Sequence, residues 1–174
     1  MTYTFRKVGV ESAEALAHLA AATFMQAYSD VHSPENIRAY CVQNYSLEAA
    51  IATLSSDQFA CTIADRENVS VGYYTLKYQQ CPTPLGGSSC ELKQIYILSS
   101  EYGAGLGRRL FEHACEVARE TGAAWLWLCV SDRNYRAKKF YQKLNFEPVT
   151  SGPILMVGTD QLPSTIMALC IGAS

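Results

Sequence analysis

The sequence predicts an α/β or α+β domain in which a mixed central β-sheet of about six to seven strands carries helices on both faces. Segments of alternating apolar residues are interspersed with segments of helical periodicity. A strand, a glycine-rich loop, a helix and a second strand follow one another over residues 90–130, which is the order of a βαβ unit. With 174 residues, 49% of them apolar, the chain is long enough for one core and short for two, so we expect residues 1–174 to form a single domain.

The first half of the chain predicts a strand, three helices and a hairpin. These elements are expected over residues 2–8, 12–29, 33–45, 46–54, 59–65 and 69–78. Ser12 is a suitable N-cap for the first helix, and Pro34 stands in a first turn, where a helix tolerates proline. The two strands of the hairpin are separated by a short polar turn.

The second half predicts strands that alternate with helices. They are expected over residues 90–98, 106–122, 123–130, 134–144, 146–150 and 165–171. Residues 123–130 are apolar on both alternating faces, which is typical of a strand buried between two layers. The last two strands are separated by a polar segment that contains Pro153 and Pro163, so we expect a loop there.

Three glycines alternate with other residues in YGAGLGRR, residues 102–109, at the start of a helix. A glycine inside a helix costs about 0.5–1 kcal/mol relative to alanine, and a plain turn needs only one. Glycine has no Cβ, so an anion can approach the unpaired N–H groups of the first helical turn. We therefore predict a phosphate-binding loop. Arg108 breaks both the dinucleotide fingerprint and the P-loop pattern, which excludes these two kinds of site.

Composition excludes several other classes of protein. The net charge of −2 argues against a non-specific nucleic-acid binder, which needs an excess of basic residues. The longest apolar runs fall short of the roughly 20 residues of a membrane helix, and we recognise no leader, so we expect a cytoplasmic protein with no membrane partner. The seven cysteines form no CxxC pair and the histidines are scattered, so we expect no metal site.

Two segments, "IYILSSEYGAGLGRRL" (95–110) and "WLCVSDRNYRAKKFYQKLNF" (127–146), resemble the acetyl-coenzyme A core of the GNAT N-acetyltransferases. The usual family forms are a strand ending V-x-P, then Q/R-x-x-G-x-G/A, and later N-x-x-A-x-x-F-Y-x-K-x-G-F. The resemblance covers about residues 90–171 and implies the GNAT fold with acetyl-CoA as co-substrate. The lead-in "ELK-IYIL" and "F-AY…PENI-AY" near the start are most similar to the PaiA-type polyamine acetyltransferases.

The resemblance implies a set of cofactor-binding residues. The diphosphate of coenzyme A would rest on the N–H groups of Tyr102, Gly103, Ala104, Gly105, Leu106 and Gly107, with Arg108 adding charge. The pantetheine arm would lie along Tyr96, Ile97 and Leu98, where this strand and the next splay apart. The N–H of Leu98 would face the thioester oxygen as an oxyanion donor. Asn134 would lie near the pantetheine or cap its own helix, and Lys139 would touch phosphate or face solvent.

The resemblance also implies two side chains that move protons. An alkylamine with a pKa near 10.4 is protonated at pH 7, and making it neutral costs roughly 4–5 kcal/mol, so a base is expected. Glu91 occupies the position of the catalytic glutamate in some histone-acetylating relatives; the alternative is a solvated side chain or an ion pair with Lys93. Tyr141 matches the tyrosine that protonates the departing thiolate; the alternative is a core tyrosine.

Three positions depart from the family pattern. Tyr102 stands where glutamine or arginine is usual, Ser99 replaces the proline that ends the strand, and Asn145 replaces a glycine. Asparagine tolerates the left-handed conformation, so the last change is mild. Tyr102 removes a side-chain contact, while the main-chain cradle should survive.

The expected activity is acetylation of a primary amine by direct attack in a ternary complex, and the acceptor is less determined. A polyamine is favoured, with a protein N-terminus, an amino acid or an antibiotic amine as alternatives. Two sets of side chains are candidates for recognising a cationic amine: Asp30, Glu35 and Glu48, and the aromatic Tyr28, Tyr40 and Tyr45. A non-catalytic acyl-CoA-binding regulator is the alternative from another class. The sequence leaves open whether the protein forms a homodimer.

Overall fold

The computed structural model describes residues 2–172 of the chain. Its strands are β1 Thr4–Val8, β2 Phe59–Arg66, β3 Val69–Lys77, β4 Ser89–Ile97, β5 Trp125–Ser131, β6 Glu147–Ser151, β7 Leu155–Val157, β8 Asp160–Leu162 and β9 Ser164–Cys170. Its α-helices are α1 Ala13–Tyr28, α2 Pro34–Asn44, α3 Leu47–Leu54, α4 Leu106–Glu120 and α5 Tyr135–Lys143. The predicted helices and strands are all present.

Serine side chains cap the starts of α2 and α3, whereas the predicted cap of α1, Ser12, does not. The side chains of Ser33 and Ser46 each accept a hydrogen bond from the N–H three residues on, at 3.2 Å. Ser12 makes no such bond. A short 3₁₀ turn over Val10–Ser12 leads into α1 instead, and the Ser12 hydroxyl accepts from Arg6.

Seven strands form one mixed sheet in the order β1-β2-β3-β4-β5-β9-β6. Neighbouring strands are antiparallel except β4 and β5, which are parallel and joined through α4. This connection is the predicted βαβ unit, and the strand number agrees with the sequence. A parallel pair needs a crossover of this kind, which brings the start of α4 to the carboxyl end of β4.

The parallel pair β4 and β5 separates soon after it begins. The two strands are paired only over Ser89, Cys90 and Glu91 of β4. Beyond Glu91, β4 stays paired with β3 as far as Ile97. The carboxyl-terminal half of β4 therefore has one free edge, and a wedge-shaped gap opens between it and β5.

Helices cover both faces of the sheet. On one face α4 contributes buried residues at helical spacing: Leu106, Leu110, Ala114 and Ala118. On the other face α1 contributes Leu16, Leu19, Ala20 and Phe24. None of the helices that the structure describes is long and apolar enough to cross a membrane.

The expected loop over residues 151–164 is wrong in part, because it contains a small hairpin. Strands β7 and β8 pair with each other and not with the main sheet. Val157 and Leu162 are buried against the α1 face of the core, so the hairpin is anchored by packing. Each strand has three residues, too few for alternation to be recognised in the sequence.

Candidate active site

The three glycines around the start of α4 are of two kinds. Gly103 and Gly105 have φ of +79° and +83°, a left-handed conformation that other residues rarely adopt, and open space lies where their Cβ atoms would stand. Gly107 lies in the first helical turn, and a Cβ there would be 3.6 Å from the Phe140 ring. Gly103 and Gly105 are thus required by the backbone conformation. Gly107 lines a cavity beside Phe140, and the absence of a side chain there leaves that cavity wider.

The first turn of α4 presents N–H groups without acceptors. Among the described residues, no acceptor lies on the N–H of Leu106, Gly107 or Arg108. The predicted cradle is smaller than expected, since the N–H of Tyr102 donates to Ser99 and that of Ala104 donates to Glu101. The positive end of the helix dipole and the open space over Gly105 make this turn suited to an anion.

A buried carboxylate that sequence reasoning missed fixes the loop. Glu101 is fully buried and accepts a hydrogen bond of 2.8 Å from the Tyr3 hydroxyl. Arg66 of β2 makes an ion pair with the same carboxylate at 3.0 Å. Because a buried charge is tolerated only when it is paired and hydrogen-bonded, these contacts hold the loop against the sheet.

The first cavity has a volume of about 350 Å³ and lies between the free edge of β4 and α5. Its walls include Ile95, Tyr96 and Ile97 of β4, Gly107 of α4, and residues of α5 and of the end of α1. The Arg136 guanidinium lies 3.6 Å from the centre of the Tyr102 ring. The aromatic departure from the family pattern thus holds an arginine at the cavity wall.

The hydrogen-bonding direction of β4 shows that the prediction for the Leu98 N–H is wrong. This N–H donates to the Val71 carbonyl of β3 at 2.8 Å and so points away from the gap. Successive residues of a strand direct their backbone groups to opposite edges. Tyr96 therefore faces β3 as Leu98 does, and the N–H groups of Ile95 and Ile97 face the gap.

The second cavity, also of about 350 Å³, adjoins the first. Tyr141 lines it, and so do five further aromatic residues: Phe24, Tyr28, Tyr40, Tyr45 and Tyr96. The rings pack against one another, with Phe24 stacked on Tyr40 at a centroid distance of 4.4 Å. The β7–β8 hairpin forms part of the opposite wall through Leu155, Met156, Val157 and Leu162.

The two cavities share a wall. The residues that line both are Tyr28, His32, Ile95, Tyr96, Ser131, Asn134, Ala137 and Tyr141. We call these eight residues the junction. Two molecules that occupied the two cavities would meet there, so a group transferred between them would have to pass at the junction.

Tyr141 lies at the junction on α5. Its ring contacts Phe140 and Phe146, as a core tyrosine would, but no hydrogen bond to its hydroxyl is present among the described residues. Burial raises the pKa of Tyr141 above its ordinary value. The hydroxyl is therefore protonated at neutral pH and able to donate.

Glu91 lines the second cavity and is only 4% exposed. Its carboxylate accepts a hydrogen bond of 2.9 Å from the Gln79 amide, and the Lys93 ammonium lies 3.6 Å away. Burial raises the pKa of Glu91, and the charges of Lys93 and Lys77 oppose the shift in part. A buried carboxylate with a raised pKa has the property that a base for an amine needs.

Asn134 combines two contacts at the junction. Its Oδ1 accepts the Ala137 N–H at 3.0 Å and so caps α5, while its Nδ2 donates to the Tyr28 hydroxyl at 2.8 Å. The cap is thus confirmed, and the cofactor contact stays a prediction. Arg108 and Lys139 are exposed and line neither cavity. Arg108 instead lies 3.7 Å from Glu112 of the same helix.

Of the residues predicted to recognise the acceptor amine, some line the second cavity and others do not. The three tyrosines line the second cavity, whereas Asp30, Glu35 and Glu48 are exposed and do not line it. Sequence reasoning missed His32, which is buried, lies at the junction and is bonded to Asp160 of the hairpin. Its partner is 128 residues away along the chain, so no local pattern indicates the pair.

Comparisons with known proteins agree with this geometry. Residues 13–146 match the model of the acetyltransferase (GNAT) family. An uncharacterised N-acetyltransferase of Mycobacterium tuberculosis is 30% identical over 137 residues, which is 78% of this chain and 83% of that protein. The chain therefore belongs to the GNAT acetyltransferase family and is an N-acetyltransferase.

Solved structures show the same fold. The crystal structure of the PaiA N-acetyltransferase of Thermoplasma acidophilum, in complex with coenzyme A, superposes with a TM-score of 0.80 at 20% identity, over 98% of this chain and 99% of that one. The ribosomal-protein-S18-alanine N-acetyltransferase of Escherichia coli superposes with a TM-score of 0.72 at 20% identity, over 99% and 96%. Identities this low show the fold and not the substrate.

Proposed function

We propose that the protein transfers an acetyl group from acetyl-CoA to a primary amine in a ternary complex. The observation that carries this proposal is the pair of cavities that meet at Tyr141. The first cavity begins at the unpaired N–H groups of α4, which suit a diphosphate, and continues along the free edge of β4, which suits the amide groups of pantetheine. The coenzyme A bound to the PaiA relative supports this assignment.

In this proposal each group of the site carries out a different step of the acetyl transfer. The Glu91 carboxylate takes a proton from the ammonium, and the neutral amine attacks the thioester carbonyl carbon. The N–H groups of Ile95 and Ile97 replace that of Leu98 as the main-chain donors available to the pantetheine and the thioester oxygen. Tyr141 donates its proton to the departing sulfur, and no bond between enzyme and acetyl group is formed.

The lining of the second cavity bears on the acceptor. Glu91 is the only carboxylate among its lining residues, all of which the structure describes, and Lys93 lies beside it. A polyamine carries several positive charges, while the wall offers aromatic rings and aliphatic side chains. This lining favours an amine with one charge and an apolar body over the polyamine that the PaiA-type resemblance suggests.

Release of free thiol from acetyl-CoA tests the proposal directly. We expect thiol release in the presence of an amine, with an arylalkylamine such as phenylethylamine giving a higher kcat/KM than spermidine. A higher value for spermidine would restore the polyamine assignment. Tight binding of coenzyme A without thiol release for any amine would favour the non-catalytic regulator.

A further inference from the structure

His32 is an imidazole with one nitrogen held and the other unpaired. Its Nδ1 lies 2.6 Å from the Asp160 carboxylate, and its side chain is 1% exposed. A carboxylate only accepts, so Nδ1 carries the proton of the neutral ring and the lone pair lies on Nε2. That Nε2 is buried and has no hydrogen-bond partner among the described residues. Buried polar atoms are seldom left in this state, so the atom needs an explanation.

Two contacts with Tyr28 hold His32 at the junction. Its N–H donates to the Tyr28 carbonyl at 3.1 Å, which continues the last turn of α1. Its ring lies 5.8 Å from the Tyr28 ring, and the Tyr28 hydroxyl receives the Asn134 amide. His32 thus contributes to the wall of both cavities, whereas Glu91 lines the second cavity alone.

The nitrogen of the acceptor amine loses two protons in the proposed reaction. An alkylammonium R–NH₃⁺ becomes the amide R–NH–CO–CH₃, so its nitrogen loses two protons while one proton joins the sulfur and one leaves to solvent. One carboxylate takes up only one proton at a time. A group that takes the second proton directly from the nitrogen has to lie where nitrogen and thioester meet, and that place is the junction.

We propose that His32, oriented by Asp160, is this second proton acceptor; the inference rests on the proposed function. The nitrogen forms its bond to the carbonyl carbon and gives one proton to the Glu91 carboxylate and the other to His32 Nε2. The carbon–sulfur bond breaks, and the thiolate takes the proton of Tyr141. The imidazolium then returns a proton to the Tyr141 phenolate, and Glu91 releases its proton to solvent, so every group is restored.

Chemical rescue tests this role. His32→Ala leaves a space of imidazole shape, and we expect kcat to fall about 10²-fold while the KM for acetyl-CoA stays within about 2-fold. Added imidazole should restore much of the lost kcat, and pyrrole, which has the same shape but no basic nitrogen, should not. Asp160→Asn should lower kcat by a smaller factor, and Glu91→Gln should gain nothing from imidazole.

Each other outcome overturns the inference in a recognisable way. An unchanged kcat in both His32→Ala and His32→Gln would exclude the role. Equal rescue by imidazole and pyrrole would assign His32 to packing, and so would loss of kcat without any rescue by imidazole. Absence of thiol release by the wild-type protein with every amine would instead contradict the proposed function itself, before any variant is made.

Discussion

The two cavities share a wall, yet they are built from different parts of the chain. The first has side chains of α1 and α5 in its walls, but the groups that we assign to the ligand are main-chain groups: the unpaired N–H groups at the start of α4 and the free edge of β4. The second is formed by side chains, chiefly aromatic rings of α1 and α2, and by the β7–β8 hairpin. A ligand held by main chain is insensitive to most side-chain changes, whereas a ligand held by side chains changes with them. The difference predicts a fixed cofactor and an acceptor that varies between relatives.

Gly105→Val should give the largest effect, because it changes the backbone conformation on which the binding of the diphosphate in the first cavity depends. Valine at φ +83° is strained, and relief of that strain would turn the N–H groups of α4 away from the diphosphate. Loss of two charge-assisted hydrogen bonds, at about 1.5–3 kcal/mol each, corresponds to a decrease in affinity of about 10²–10⁴-fold, measured by titration calorimetry with coenzyme A.

Gly86→Val is the matched control. Gly86 has φ +79° and open space at its Cβ position, and it lies in an exposed loop outside both cavities. We expect a similar loss of stability and unchanged affinity for coenzyme A. Equal loss of affinity in both variants would mean that general strain, and not the cradle, explains the effect.

Tyr141→Phe tests the junction, where both cavities depend on a side chain. Removal of the hydroxyl should lower kcat about 10²-fold, because the thiolate then departs without a proton donor, while affinity for coenzyme A changes less than about 2-fold. Tyr78→Phe, outside both cavities, serves as the control. Parallel decreases in kcat and affinity would return Tyr141 to the role of a core residue.

Glu91→Gln should stabilise the protein in a pH-dependent way. Burial raises the pKa of Glu91 above the 4.5 of a free carboxyl, so the unfolded chain loses this proton at lower pH than the folded one. Stability from this group is therefore fully present below pH 4.5 and decreases as pH rises through the folded pKa, by about 1.4 kcal/mol per pKa unit.

The corresponding measurement is the melting temperature across pH. We expect Glu91→Gln to melt higher than wild type at pH 8 and at the same temperature as wild type near pH 4, with lower activity throughout. Glu116→Gln, on the exposed side of α4, should show no such pH-dependent difference in melting temperature from wild type. A variant that is less stable than wild type at pH 8 would show that Glu91 is a structural ion-pair partner.

Asn134 should give the smallest effect and separates its two contacts. Asn134→Ala removes the cap of α5 and should cost about 1 kcal/mol in the free energy of unfolding. Asn134→Asp keeps the acceptor for the Ala137 N–H but loses the donor to Tyr28, so it should retain stability and alter only kinetics. Denaturant unfolding and steady-state assays check both. Equal destabilisation by the two variants would contradict the assignment of the cap.

The main-chain cavity could be predicted from the sequence to a large extent. Its glycines, helix and strands are adjacent along the chain, so one local pattern carries them, and the elements and the family assignment are confirmed. The error lay in Leu98. Which alternate residues of β4 face the gap depends on an irregularity of the β3–β4 register between Thr75 and Leu76, and strand periodicity alone does not reveal it.

The side-chain cavity was predicted less well, because its residues come from distant segments. Tyr28, Tyr40 and Tyr45 were identified, but Phe24 was not, and the acidic residues named with the tyrosines are exposed. The hairpin, the Glu101 cluster and the His32–Asp160 pair depend on contacts across about a hundred residues, as between Tyr3 and Glu101. Residue spacing carries no information on such contacts.

The central claim is that main-chain N–H groups at the start of α4 hold a diphosphate and so bring a thioester to the junction. Titration calorimetry that compares coenzyme A with pantetheine, which lacks the nucleotide and its diphosphate, tests it most directly. The account predicts measurable binding of coenzyme A and an affinity for pantetheine at least about 10²-fold weaker. Equal affinity for the two, or no binding of coenzyme A to the folded protein, would contradict it.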